Sequence, residues 1–323
     1  MKTSMQRIRK ILAIAAISVM TVCTVPVQAE NGGASDTIQI QPVTVKKSGF
    51  IKEGTKYFFY DKKGNKLKSK WKTIQKRRYY FKADGTAAVG GTKIGKYTYV
   101  FDLQGRLLKP SKSKIVQVGK QLYYVNKKGQ AIKGFFKIGN KLYRGDIKGR
   151  LTKNKTVANV TFNSKGYAKN DLNAKLKMKL MTIISRITTT EMSKSEKLYS
   201  CWRYLTSSGN FYYSTYWPDL NKKGWQREVA YNMLTTGGGD CYGFACTFAA
   251  MARELGYNPY VVLGRVSGTR DGAADGLTRH GWVMIDGAYY DPEAQFAGWY
   301  RGVYGNGSYD INHTISRYIR YAS

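Results

Sequence analysis

Three cysteines and two histidines carry most of the chemistry open to this chain. Beyond Cys23 near the N-terminus the cysteines are Cys201, Cys241 and Cys246, and His280 and His313 are the only histidines. A thiol attacks a carbonyl carbon as its thiolate, and it needs a base that is itself oriented by an acceptor. Cys241 has the surroundings for that role. It follows Gly237-Gly238-Gly239-Asp240, and Ala245, Phe248, Ala249, Ala252 and Leu255 recur behind it at helical spacing. Asp240 is the expected N-cap and Gly256 the expected stop. Cys241 then lies in the first turn, where the helix dipole and free N–H groups stabilise a thiolate. The glycines let other chain, or substrate, come close. Cys246 is five residues further on, about 140° around the helix from Cys241, and reads as core. Cys201 sits on an apolar stripe and reads the same way, with a Cys201–Cys246 disulfide left open. Two histidines and three scattered cysteines make no zinc cluster, so neither metal nor cofactor is expected.

The base and its acceptor are sought in HGWVMIDGAYYDPE, residues 280–293. Asp286-Gly287 is a type I′ hairpin signal. A two-residue turn pairs Ile285 with Ala288 and Trp282 with Asp291, which puts His280, Trp282 and Asp291 on one face. Glu293 falls opposite His280 and is the runner-up acid. Pro292 cannot donate to a ladder and is expected to end the pairing, leaving Asp291 on the rigid strand. His313, beside Asn312 near the C-terminus, has no partner motif and reads as a surface residue or a local hydrogen-bonding one.

GDCYGFA with its following helix, HGWVMI and YYDPE occur in that order. Together they resemble the transglutaminase-like domain of the papain-type cysteine enzymes, over roughly residues 171–323. The resemblance implies a triad of Cys241, His280 and Asp291 acting on amide bonds through a thioester, as peptidase, amidase or acyl transferase. The Cys241 backbone N–H is one expected oxyanion donor. Trp225 and Tyr231 are candidates for the second.

These residues need a scaffold, and the pattern from Leu172 onward supplies it. Leu172, Leu176, Met178, Leu180, Ile183, Ile184 and Ile187 predict one amphipathic helix. Ser195–Leu205 and Arg227–Leu234 predict two more, and Tyr260–Val266 a strand. About 150 residues are enough to bury a core of their own.

The preceding half is a repeat array. KYFFYDKKGNKL, RRYYFKADGTAA, YTYVFDLQGRLL, QLYYVNKKGQAI, KLYRGDIKGRLT and VTFNSKGYA share paired aromatics, a polar turn with glycine and a short apolar segment. A period near 20 predicts a solenoid with one supersecondary unit per repeat. Asp61, Asp102, Asn126, Asp146 and Asn163 each sit three residues before a turn glycine, which predicts a tight reversal, hence a hairpin per unit. One hairpin cannot bury its aromatic face alone, so neighbours must stack. Residues 48–170 resemble the cell-wall-binding repeats of choline-binding and glucan-binding surface proteins. Those families carry a Gly-Trp pair in each repeat, whereas this array has only Trp71.

Residues 43–170 hold 33 Lys/Arg against 5 Asp/Glu, and residues 171–323 hold 17 against 13. So uneven a charge points the array at an anionic cell-wall polymer such as teichoic acid, or another surface glycan, by charge attraction. The N-terminus reads as an export leader. Lys2, Arg7, Arg9 and Lys10 precede an apolar run from Ile11 to Val25, and Val27-Gln28-Ala29 suits cleavage after Ala29. That run is shorter than the roughly 20 residues of a spanning helix, so no transmembrane segment is expected after cleavage. An exported chain makes nucleic acid a poor partner despite the charge.

The expected organisation is a leader at 1–29, a linker at 30–47, an all-β hairpin-repeat solenoid at 48–170 and an α+β catalytic domain at 171–323. The expected function is that of a secreted, wall-associated cysteine enzyme acting on a peptide or protein amide. The alternative is a non-catalytic wall-binding surface protein.

Overall fold

The computed structural model describes residues 46–207, 209–301 and 303–321. The expected leader and most of the linker lie outside these residues. Among the described residues no helix is long and apolar enough to cross a membrane. The chain divides into two compact units, residues 1–132 and 133–323.

The first unit contains four antiparallel hairpins. They are β1 (Gly49–Glu53) with β2 (Lys56–Tyr60), β3 (Lys70–Ile74) with β4 (Arg77–Phe81), β5 (Gly90–Ile94) with β6 (Tyr97–Phe101), and β7 (Lys114–Val118) with β8 (Gln121–Val125). Each unit is hairpin-like, but its frame is shifted from the expected one. The two-stranded reversal falls before the paired aromatics, at Gly54-Thr55 in the first hairpin and Gln75-Lys76 in the second. The Asx-Gly turn instead follows the second strand. There the Asp61 carboxylate accepts from the Lys63 and Asn65 N–H groups, and a single bridge joins Tyr60 to Lys66. Both turns carry left-handed residues, which is why either one looks like the reversal in sequence. Consecutive units are stitched by backbone bonds, Ala87 N–H to Tyr57 O, Leu107 to Arg78 and Ala131 to Thr98. Each bond seats the apolar tail of one unit on the aromatic strand before it, so Tyr79, Phe81 and Ala87 form one buried cluster.

The second unit begins with two further hairpins, β9 (Gly134–Ile138) with β10 (Lys141–Gly145) and β11 (Lys155–Val157) with β12 (Val160–Phe162). Helix α1 (Leu172–Ile187) follows, capped by Asp171, whose carboxylate accepts from the Ala174 N–H. Leu142, Val160 and Phe162 of these hairpins share a buried cluster with Ala168 and Ala174, and Met178 and Met181 pack against it. The compact division therefore lies two hairpins upstream of the 170/171 boundary expected from the repeats.

Helix α2 (Lys194–Thr206) starts with a Ser193–Glu196 capping box. Then come β13 (Tyr212–Tyr213), α3 (Trp225–Thr236), β14 (Gly238–Gly239) and α4 (Cys241–Glu254). Gly237, at φ 84°, ends α3. Strands β15 (Tyr260–Ser267), β16 (Leu277–Ile285), β17 (Ala288–Tyr290), β18 (Tyr304–Asn306) and β19 (His313–Arg320) form one antiparallel sheet in the order β18-β17-β16-β15-β19, with α5 (Pro292–Ala297) between β17 and β18. Every residue of α4 from Cys241 to Ala252 is buried, so this helix is the core element against the sheet. Gly281 permits that approach, since a Cβ there would stand 2.7 Å from the Tyr242 ring.

The shared cluster under α1 makes a prediction about where the second unit can be cut. A fragment of residues 133–323 should unfold cooperatively. Trimming it to 171–323 removes Leu142 and Phe162 from that cluster, a loss of about 2–5 kcal/mol for each such core truncation, and should lower its melting temperature by roughly 10 °C or more at about 2–4 °C per kcal/mol. Equal melting temperatures for the two fragments would instead support a boundary at 170/171.

Candidate active site

The residues with chemistry converge where α4 begins. Asp240 caps that helix, with its Oδ1 accepting from the Gly243 N–H at 3.1 Å. Its Oδ2 accepts from the Tyr216 N–H at 3.0 Å. One carboxylate thus fixes both the helix start and the segment that crosses it. The glycines upstream serve chain rather than open space, because a Cβ on Gly239 would come within 2.7 Å of the Met233 sulfur. Cys241 is 2 % exposed. Above it is a slot of only about 10 Å³, lined by Tyr213, Thr215, Trp217, Tyr242, Arg270 and Arg279 as well as by the capped turn itself.

His280 reaches this place from β16. Its Nε2 is 2.6 Å from Asp291 Oδ2, with both side chains buried. The Cys241 side chain stands near enough to the same ring to favour its charged form. Trp282 stacks beside the imidazole at 5.9 Å between ring centres, and Trp299 meets its edge at 5.4 Å. Burial alone disfavours the charged imidazolium. The Asp291 carboxylate and the Cys241 sulfur outweigh it and raise the His280 pKa well above its ordinary 6.5. The structure therefore brings Cys241, His280 and Asp291 together.

Asp291 arrives by a route the hairpin register does not anticipate. The two-residue turn holds, with Ile285 opposite Ala288, Met284 opposite Tyr289 and Val283 opposite Tyr290. Pairing stops at Tyr290, so Asp291 is not the strand partner of Trp282. It is the N-cap of α5, with Pro292 in the first turn, and its Oδ1 accepts from the Ala294 N–H at 3.1 Å. Its Oδ2 is shared between His280 and the Tyr309 hydroxyl, which donates at 2.6 Å.

Glu293, the other acid, is also buried. It lies in the first turn of α5, where its Oε2 accepts from Trp299 Nε1 at 3.1 Å and stands 3.9 Å from His280 Nδ1. Burial pushes its carboxyl pKa up. His280, Asp291 and Glu293 offer donor atoms within 4.8 Å of one another, the spacing of a metal site. Both Asp291 oxygens already accept from protein donors, which makes the cluster complete as a hydrogen-bonded relay.

The remaining candidates separate cleanly. Cys201 and Cys246 are free, buried thiols, and no disulfide joins them. Burial pushes the Cys201 thiol up to about 12 and that of Cys246 well above the usual range. His313 Nδ1 bonds the Ile311 carbonyl at 2.7 Å while the ring stands edge-on to Trp282 and Tyr309, so it buttresses the site from behind. Tyr231 lines a different cleft and Trp225 is buried beside Tyr242; neither lines the slot over Cys241. Tyr309, Trp299, Arg270 and Arg279 carry no motif in the sequence. They reach the site from loops and strand ends through contacts that only the folded chain creates.

Residues 182–301 match the transglutaminase-like superfamily, and this part of the chain is a transglutaminase-like α+β domain. No curated protein matches the chain. Solved structures match the hairpin-repeat part. CbpJ from Streptococcus pneumoniae is 21% identical over 38% of this chain and 48% of its own, with a TM-score of 0.20. Choline binding protein F from the same organism is 22% identical over 38% and 48%, with a TM-score of 0.19. The modular autolysin LytC, again from Streptococcus pneumoniae, is 20% identical over 38% and 28%, with a TM-score of 0.25. The chain spans about half the length of the first two.

The raised His280 pKa has a readable consequence. The Asp291 carboxylate favours the charged imidazole beside the Cys241 sulfur. Asp291→Asn keeps the α5 cap but removes the charge, and should slow alkylation of Cys241 at pH 6 by about tenfold or more, one pKa unit being a factor of ten. Glu293→Gln, which removes a carboxyl already inclined to neutrality, should change it little. Reversal of that order would make Glu293 the orienting acid. The sign for stability follows from the same shift. The contribution of the charged His280 is fully present below pH 6.5 and is lost as pH rises through the higher folded value, so Asp291→Asn should destabilise more in acid than in alkali.

Proposed function

We propose that this protein is a secreted, wall-associated cysteine enzyme that cleaves or exchanges amide bonds through a thioester on Cys241. The observation that carries this reading is the buried His280 set between the Cys241 sulfur and an Asp291 carboxylate fixed by two further donors. In the proposed cycle the Cys241 sulfur attacks the amide carbon while the Cys241 N–H faces the developing oxyanion. The C–N bond breaks and the amine leaves with the proton from His280. Water, deprotonated by His280, then hydrolyses the thioester to the acid and regenerates the thiol. An amine in place of water forms a new amide. Asp291 keeps the imidazole oriented and its cation favourable throughout, without itself taking the proton. With Cys241 and His280 each only 2 % exposed, substrate enters by displacing the turn around Arg270.

The hairpin repeats serve in this reading as the wall anchor. Their support is the excess of Lys/Arg in residues 43–170 and the stacked aromatic units that display it.

Two measurements test the parts separately. Incubation with a small electrophilic thiol probe and peptide mapping should place the adduct on Cys241 and on neither Cys201 nor Cys246, and Cys241→Ala should abolish both adduct and amide turnover. Full turnover in Cys241→Ala would end the thioester mechanism. The whole chain should also sediment with purified cell walls and be released as salt rises. Retention undiminished at about 1 M salt, where the screening length is near 3 Å, would remove charge as the basis of anchoring.

A further inference from the structure

We propose that the second compact unit carries its own binding site for a phosphodiester-linked polyanion, in a cleft between hairpin β9–β10 and helix α1. This deepens the wall-anchoring reading by placing one ligand site in the unit that also holds Cys241. The cleft has a volume of about 850 Å³. Six cations line it: Lys137 and Lys141 from the hairpin, Lys169 from the segment leading into α1, and Lys175, Lys179 and Arg186 from the helix. No Asp or Glu lines it. Residues 133–323 hold 27 Lys/Arg against 14 Asp/Glu, so six cations with no carboxylate among them exceed the unit's average ratio of about two to one.

The walls and floor suit a chain of alternating phosphate and polyol or sugar. Leu142, Ile183 and Leu234 form an apolar base, and Tyr167, Tyr204 and Tyr231 stand around it. Lys141 lies over the Tyr167 ring at 4.4 Å and Arg186 over Tyr204 at 5.7 Å, so the cations are carried on aromatic faces. Lys137 donates to the Thr182 hydroxyl at 2.8 Å, which ties the hairpin tip to α1 and holds the two walls at a fixed spacing. Helix α1 presents Lys175, Lys179 and Arg186 along its length. Lysines are separate point charges, whereas paired arginine forks are the device for planar carboxylates. Five lysines to one arginine therefore favours spaced phosphates over a carboxylate polymer. None of the lining residues lines the slot above Cys241, so occupancy leaves the thiol free to react.

The test uses the full chain and a short poly(glycerol phosphate) oligomer of about six repeats, too short to bridge many hairpins. Wild-type protein should bind it with an affinity that falls steeply with salt. Lys175→Glu with Lys179→Glu should weaken binding at least about tenfold, as expected for removing charges that neutralise phosphates. Lys223→Glu with Arg317→Glu, an equal change of charge at exposed positions of the same unit outside the cleft, should leave it within about twofold. Alkylation of Cys241 at an unchanged rate in both variants shows that the fold persists. A glutamate hexapeptide and a single-stranded deoxyhexanucleotide should each bind more weakly than the oligomer. Equal weakening by the two double variants would overturn the site in favour of diffuse charge, as would equal binding of all three ligands. Loss of oligomer binding with wall sedimentation intact would refute the cleft while leaving the array as the anchor.

Discussion

A single buried carboxylate holds the reactive end of this molecule together. Asp291 is fully buried, and a buried charge left without partners costs several kcal/mol. It is supported by three donors from three places: the His280 ring on β16, the Ala294 N–H at the start of α5, and the Tyr309 hydroxyl ahead of β19. Removing any one strands part of the charge, so the sheet, the short helix and the C-terminal loop are committed to a common arrangement. Asp240 does the same on the other side of the site, capping α4 through one oxygen and pinning Tyr216 through the other. Cys241 and the carboxylate bonded to His280 are thus both placed at helix starts. Positions there are tighter than a strand alone would give, because a cap fixes side chain and backbone at once.

That mechanism explains which features were legible in sequence. Asp240 before an apolar helical pattern is a local signal, and helix α4 starts where that signal places it. The Asp286-Gly287 turn is local too, and the register it implies holds through Tyr290. Beyond that point two local rules compete. Strand alternation continues Asp291 and Glu293 along the face of His280, while Asp-Pro-Glu is equally a cap followed by a first helical turn. Burial of Ala294 and Glu293 under the site settles the contest for the helix. The carboxylate still reaches the histidine, but from a cap, and Glu293 is drawn inward to Trp299 rather than left past the end of a strand. Tyr309 had no signal to read, since a tyrosine in an irregular stretch acquires its role only from what folds against it.

The array shows the complementary case, a pattern whose period is plain and whose phase is not. Every unit carries two turn sites, and both accept left-handed residues. Choosing between them depends on which segment pairs over five residues, a non-local fact. Its lysines are likewise not separable from its core. Lys66 lies over Phe58 at 3.9 Å, and Arg78 lies over Trp71 at 4.4 Å. Their charged ends sit against aromatic rings, so one residue type serves stacking and attraction together.

The closed slot over Cys241 raises the question of which wall gives way. The wall that contains Tyr213 is bound to the helix start by backbone pairing. Tyr212 and Ser214 donate to the Gly237 and Gly239 carbonyls, and Tyr216 donates to the buried Asp240. Moving it would break the cap that positions the thiol. The opposite wall is the turn around Arg270. It is held by exposed polar contacts, Arg270 to the Tyr213 hydroxyl and the Arg279 carbonyl, and Arg279 to Asp271. Exposed ion pairs contribute little because water replaces them at almost no cost. The Arg270 turn is therefore the cheaper gate, and it can lift without disturbing either aspartate. Lifting it would leave Cys241, His280 and Asp291 as packed, so in the proposed cycle admission of substrate is separated from the geometry that acts on it.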